Sequence, residues 1–371
     1  MKITGLDIRA CALRRDATGR ETALRGQAGG QRHDFLVYTL RTECGRSASM
    51  FGFAGASAIG SAHLAKTLEP FLMGRNVHDR EGLWHDFRLR NRMWGHFPIY
   101  IWGPLDCCLW LLAAEVAEVP LYRYIGAARE EVPVYASSMF LNEQEDYVTE
   151  ALSVRAAGFA GYKLHPPGHS VDADLEIHAA VRAAVGTDYT LMSDPVAMLT
   201  LPDALRYGRG LEQLGFAWFE EPMADESLPA LRELTRQLDI PVVGTETLAG
   251  HPYSLADIVA RQVVDAIRAD VSWTGGVTGV LKSAHLADAF NMNCEIHTAI
   301  FHPLEMVNLH LCAALRNCTY LELLTPVSDF SFGLVGGLPI KDGIARLPET
   351  PGLGVPLDWD LIEDSTLEVM T

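Results

Sequence analysis

The chain has 371 residues, enough for one large or two unequal domains around a substantial core. Its 47 acidic against 30 basic residues leave a formal charge of -17, which argues against nucleic acid and anionic membranes as partners; an anionic substrate must be held by a local positive feature. The seven cysteines (Cys11, Cys44, Cys107, Cys108, Cys294, Cys312, Cys318) lack CxxC spacing and the start MKITGLDIRACALRR lacks an export pattern, so reduced thiols, a cytoplasmic location and no membrane-crossing run are expected.

Residues 1–125 read as an α+β capping domain, with strands near 2–13 and 35–42 and helical segments near 56–72, 78–94 and 104–117. The stretch RRDATGRETALRGQAGGQRHD (14–34) is too polar for a core. Together with SMFGFAGAS (49–57) it is expected to form mobile loops over the mouth of a neighbouring domain.

From 126 to 345 the chain repeats one phrase: an apolar β-prone run, a polar residue at its end, then a helical stretch closed by Gly or a turn. The eight runs are VPVYAS (132–137), GYKLH (161–165), YTLMSD (189–194), FAWFEE (216–221), IPVVGTE (240–246), DAIRAD (265–270), MNCEIH (292–297) and TYLEL (319–323). Between them lie amphipathic helices such as 227–238, where Leu228, Leu231, Leu234 and Leu238 form one stripe. Asp194, Glu220, Glu246, Asp270, His297 and Glu322 follow one another at intervals of 26, 26, 24, 27 and 25 positions. So regular an interval predicts one repeated unit, an α/β fold of the (β/α)8 or modified TIM-barrel type, whose C-terminal rim gathers these residues. Residues 346–371 are expected to leave the barrel and pack back on the capping domain.

Three carboxylates, Asp194, Glu220 and Glu246, end three successive strands, and on one rim their charges repel unless a cation lies among them. An all-oxygen set without His or Cys selects Mg²⁺ or Mn²⁺ over Zn²⁺. In GYKLH, Lys163 and His165 are two apart and share a face; either supplies a base, and the cation beside the imidazole favours its neutral form. His297 and Asp270 end adjacent strands, where a carboxylate fixes the imidazole tautomer. Glu322, on the eighth strand, is expected to be a protonated acid that donates to a substrate oxygen.

These motifs (YKLH, FEEP, GTETL, ADVSWTGGVTG, IHTAIFHP and PGLGVPLDWD, with LDCCLWLLAAEVAEVPLYRYIG near the N-terminus) resemble the enolase superfamily, and within it the mandelate racemase subgroup. The resemblance implies one Mg²⁺ per subunit on Asp194, Glu220 and Glu246, a dyad of Asp270 and His297, Glu322 as donor to the substrate carboxylate, and Lys163 with His165 as the other catalytic arm. It also implies a homo-oligomer. The chain departs from the family in carrying His165 where a second lysine is common, and Val196 where an Asn commonly follows the first metal ligand.

A metal-bound carboxylate accepts charge from its α-carbon when a base takes the proton, giving an enediolate. Most of the subgroup dehydrates acid sugars to 2-keto-3-deoxy acids. Dehydration of a small-molecule sugar carboxylate is therefore the expected function, with His297 as acid for the departing hydroxide. Racemisation or epimerisation of a 2-hydroxy acid and cycloisomerisation of a sugar lactone are the alternatives. A metal-dependent hydrolase is disfavoured because the first strand reads YASS instead of His-x-His.

Overall fold

In a computed structural model, which describes residues 1–14, 32–248 and 252–371, two sheets organise the chain. The first is antiparallel: β1 (Ile3–Arg14), β2 (Arg32–Thr42) and β3 (Ser47–Phe53) pair in order, and the last strand of the chain joins the far side of β1. Most of the lid expected over 14–34 lies outside the described residues. The other lid segment is corrected: residues 47–53 form β3, in register with β2 from Phe35 opposite Phe53 to Arg41 opposite Ser47. The alternation in SASMFGF buries Met50 against the core, and Gly52 leaves room for Tyr38, whose ring lies 2.5 Å from where a Cβ would sit.

The second sheet holds the predicted eight parallel strands: β4 (Glu131–Ser137), β5 (Gly161–Leu164), β6 (Thr190–Ser193), β7 (Trp218–Glu220), β8 (Val242–Gly244), β9 (Ala266–Ala269), β10 (Asn293–Ile296) and β11 (Leu321–Leu324). Each pairs with the next as far as β10, and β11 pairs with β4. Between β10 and β11 the described residues form no ladder. That seam is bridged by Cys294 N to Asn317 O at 2.8 Å and by Thr319 N to Glu295 Oε2 at 2.9 Å. A short hairpin, β12 (Ile340–Lys341) and β13 (Ile344–Arg346), adds antiparallel to β4, and the chain ends in β14 (Thr366–Met370) on β1.

The strand period of two builds the barrel interior in layers. Tyr135, Met192, Trp218, Val243 and Ala266 form one buried cluster. Two residues further along four of these strands stand Ser137, Asp194, Glu220 and Arg268, all buried. An apolar layer thus lies beneath a charged one.

The antiparallel sheet is tied to the barrel through the helix Gly103–Val116. Its buried Asp106 accepts from Thr278 N at 2.8 Å and from Thr278 Oγ1 at 2.7 Å, while Trp110 Nε1 donates to that hydroxyl at 2.8 Å. Gly276 permits the approach, since its φ of 85° suits glycine and a Cβ there would lie 2.5 Å from Asp106 Cβ. The expectation that no run is fit to cross a bilayer needs correcting for 99–116, which is apolar and long enough. It is 72% buried within the protein and packs as a core helix. All seven cysteines are free thiols, and only Cys44 is exposed.

Candidate active site

Local backbone at the strand ends aims the site inward. Asp194 follows β6 and accepts Val196 N on Oδ1 at 2.9 Å, a tight turn that leaves Val196 and Ala197 left-handed at φ 49° and 59°. Glu221 (φ 37°), Thr245 (φ 80°) and Ile300 (φ 71°) are left-handed on the same rim. Such conformations cost non-glycine residues on the order of 1–3 kcal/mol each and concentrate at functional sites. Glu221, buried beside Glu220, turns its carboxylate back to accept Glu246 N at 3.0 Å.

Asp194, Glu220 and Glu246 converge so that one carboxylate oxygen from each lies within 4.8 Å of the other two. Burial, partly offset by His297, raises the pKa of the Glu246 carboxyl. Three convergent hard oxygens, with no His or Cys among the donors, fit a divalent cation such as Mg²⁺.

Lys163 is fully buried, with Nζ 2.7 Å from Glu220 Oε1, 2.8 Å from Glu322 Oε1 and 3.2 Å from Asp194 Oδ2. Burial opposes its charge, but Glu220 and Glu322 outweigh it and hold the ammonium pKa well above the ordinary range. His165, just past β5, puts Nδ1 2.6 Å from the Ser138 carbonyl and Nε2 3.1 Å from Asp194 Oδ2. The Ser138 carbonyl and the Asp194 carboxylate both only accept, so in this geometry Nδ1 and Nε2 each carry a hydrogen, and loss of the Nε2 proton leaves a basic electron pair there. For Asp194, burial is outweighed by Lys163 and His165, and its pKa falls below the ordinary range.

At the opposite end of the triad, His297 Nε2 faces Glu246 Oε2 at 3.2 Å and Nδ1 faces Asp270 Oδ2 at 3.1 Å. Asp270 is held by Ser272 N at 2.6 Å and Trp273 N at 2.9 Å, both donating to Oδ1. Burial disfavours the imidazolium, but Glu246 and Asp270 prevail and push the His297 pKa up to about 10.

Glu322 departs from expectation. Its carboxylate meets Lys163 on one oxygen and Arg268 on the other, and Thr298 N donates to Oε2 at 3.1 Å. Burial is overcome by the two cations, and its pKa lies well below the ordinary value. With two cations and an amide around it, Glu322 is an acceptor and has no proton to donate.

Sequence reasoning missed Arg268. Its guanidinium is buried, with Nε 3.0 Å from Glu220 Oε1 and Nη2 3.1 Å from the Tyr135 hydroxyl, besides the pair with Glu322. The signal was present, because an arginine in the apolar run DAIRAD, two before Asp270, shares that residue's face. Trp218, two before Glu220 in the same way, donates Nε1 to Glu220 Oε2 at 2.9 Å.

Known proteins share this fold and much of this sequence. The sequence profile of the family described as enolase C-terminal domain-like matches residues 146–361. A crystal structure of D-glucarate dehydratase from Agrobacterium tumefaciens, complexed with magnesium, is 33% identical and superposes with a TM-score of 0.86 over 99% of this chain and 100% of that one. Arabinonate dehydratase of Saccharolobus solfataricus is 28% identical over 337 residues, 88% of this chain and 90% of that protein. The 3,6-anhydro-alpha-L-galactonate cycloisomerase of Streptomyces coelicolor is 28% identical over 351 residues, 91% of this chain and 94% of that protein.

Proposed function

The chain belongs to the enolase superfamily, and we propose that it is an acid sugar dehydratase that converts a sugar carboxylate to a 2-keto-3-deoxy acid through an enediolate. The observation that carries the reading is the pair of imidazoles at opposite ends of the carboxylate triad, His165 against Asp194 and His297 against Glu246. Relatives named as dehydratases of arabinonate and glucarate support the substrate class.

Asp194, Glu220 and Glu246 would hold one Mg²⁺ per subunit. When bound, it would supply Lewis-acid stabilisation of the negative charge on the substrate carboxylate. His165 is the base on its arm, because Nδ1 is committed to the Ser138 carbonyl and Nε2 is the nitrogen that exchanges a proton, while Lys163 is engaged by three carboxylates. Nε2 takes the α-proton, and the C–H electron pair moves into the carboxylate. His297, held as the imidazolium between Asp270 and Glu246, gives a proton to the β-hydroxyl as the C–O bond breaks, so water leaves. The enol then ketonises. Glu322 orients Lys163, which supplies positive charge beside the site of the developing enediolate.

The same pair of imidazoles supports a second reading, epimerisation of a 2-hydroxy acid, if each ring exchanges the proton on its own face. Cycloisomerisation of a sugar lactone is supported by the Streptomyces coelicolor relative. The test is incubation with Mg²⁺ and a broad panel of aldonates, aldarates and their lactones in D₂O. A 2-keto product is expected. Deuterium at the α-carbon without loss of water would replace dehydration by epimerisation, and neither outcome across the panel would remove both.

A further inference from the structure

His297 opens a rim loop after β10, and two side chains on the following helix, His302–Ala314, hold the backbone of His297 and of the loop beyond it. Asn308, fully buried, donates Nδ2 to the His297 carbonyl at 3.0 Å and accepts Val271 N on Oδ1 at 3.3 Å. Val271 immediately follows Asp270. One amide thus clamps the backbone at both members of the pair whose side chains meet at 3.1 Å. The second Nδ2 hydrogen goes to Glu305 Oε2 at 3.1 Å, so both amide hydrogens and the amide oxygen are engaged.

Glu305, also buried, receives Ala299 N at 2.6 Å and Ile300 N at 2.8 Å on Oε1, and the Thr298 hydroxyl on the same oxygen. These contacts hold Ile300 in its left-handed conformation and fix Thr298, whose N–H is bonded to Glu322. Strand pairing holds His297 from one side only, through its N–H to Ala269 O at 2.9 Å, because β10 forms no ladder with β11 among the described residues. The helix supplies the missing restraint. Asn308 and Glu305 are three apart and therefore present a single helical face to the loop.

We propose that Asn308 and Glu305 are positioning residues for the dehydration step, setting the distance between His297 and Asp270 and the placement of Thr298 under Glu322. The catalytic part of this inference rests on the proposed function; the positional part does not. Asn308→Ala is expected to lower kcat about 10- to 100-fold, as for other displaced or unsupported catalytic groups. KM and Mg²⁺ affinity should change far less.

A structural readout separates the two parts. In ¹⁵N-histidine-labelled protein, the His297 Nδ1–H bonded to Asp270, assigned by its loss in His297→Asn, is expected as a low-field proton signal. It should shift or exchange away in Asn308→Ala. Glu305→Gln keeps the side-chain shape and serves if the alanine variant does not fold; it should move the same signal by a smaller amount. An unchanged His297 signal in the folded variants overturns the proposal. So does a fall in kcat matched by an equal loss of Mg²⁺ affinity. If the wild-type protein dehydrates no acid sugar, the functional reading fails, and the His297 signal alone decides the positioning claim.

Discussion

The ammonium of Lys163 lies 2.7 Å from Oε1 of Glu220, and both side chains are sealed from solvent. The same cation meets Glu322 and Asp194, so it offsets charge for two carboxylates of the triad and for the acceptor on β11 together. Replacing Lys163 with Met leaves Glu220 and Glu322 with Arg268 as their shared cation. Breaking a buried pair from one side costs about 3–5 kcal/mol. Lys163→Met is therefore expected to lower the urea midpoint markedly and to abolish turnover. An unchanged midpoint would show that Arg268 suffices.

Exchanging each imidazole for Asn separates the two arms. His165→Asn is expected to lower both α-deuteration and product formation by about 10²- to 10⁴-fold, the usual scale for a general base. His297→Asn should stop loss of water while leaving proton exchange measurable. Dehydration at the wild-type rate in His297→Asn would remove that residue from the scheme.

Metal binding should appear as stability as well as activity. A ligand at 100 times its Kd adds about 2.7 kcal/mol to the native state. Mg²⁺ is expected to raise the melting temperature of the wild-type protein, EDTA to reverse the rise and abolish turnover, and Glu246→Gln to blunt both effects. A melting temperature indifferent to Mg²⁺, Mn²⁺ and EDTA alike would count against the triad as a metal site.

Acid should loosen the junction between the barrel, the capping helices and the C-terminal segment. Buried His310 accepts Tyr122 N on Nδ1 at 3.2 Å and donates Nε2 to Leu353 O at 2.9 Å, so the neutral ring joins all three. Burial lowers its pKa from 6.5 to about 4. A depressed folded-state pKa contributes stability that is present above about 6.5 and is lost as pH falls through about 4, each tenfold difference in proton affinity between the folded and unfolded chain being worth roughly 1.4 kcal/mol. The urea midpoint is expected to fall between pH 7 and 4, with a shallower slope in His310→Gln. Equal slopes would assign the acid lability elsewhere, first to His178, whose pKa burial also lowers to about 4.

Val196 holds a left-handed φ of 49° and is 41% exposed. A β-branched side chain is disfavoured there, whereas Asn is tolerated. Val196→Asn is expected to stabilise the fold by about 1 kcal/mol, read from chemical denaturation. A destabilised variant would mean that the valine side chain contributes more to the rim than its backbone costs.

Periodicity in the sequence determined the barrel. Alternation of two along each strand and a strand-to-strand interval near 26 residues are local properties, and they were enough to locate eight strands and bring Asp194, Glu220, Glu246, Asp270, His297 and Glu322 to one rim. Residues 49–57, by contrast, read as a mobile loop because of their small residues, and only pairing with β2 reveals 47–53 as a strand. Tertiary structure alone decided the charge states and supports. Glu322 is an acceptor because Lys163 and Arg268 reach it from β5 and β9; Lys163 is engaged because three carboxylates from three strands surround it; His297 is clamped by Asn308 from a helix. Coulomb interactions and hydrogen bonds act over a few ångströms between residues far apart in the chain, and such distances exist only once the barrel has closed.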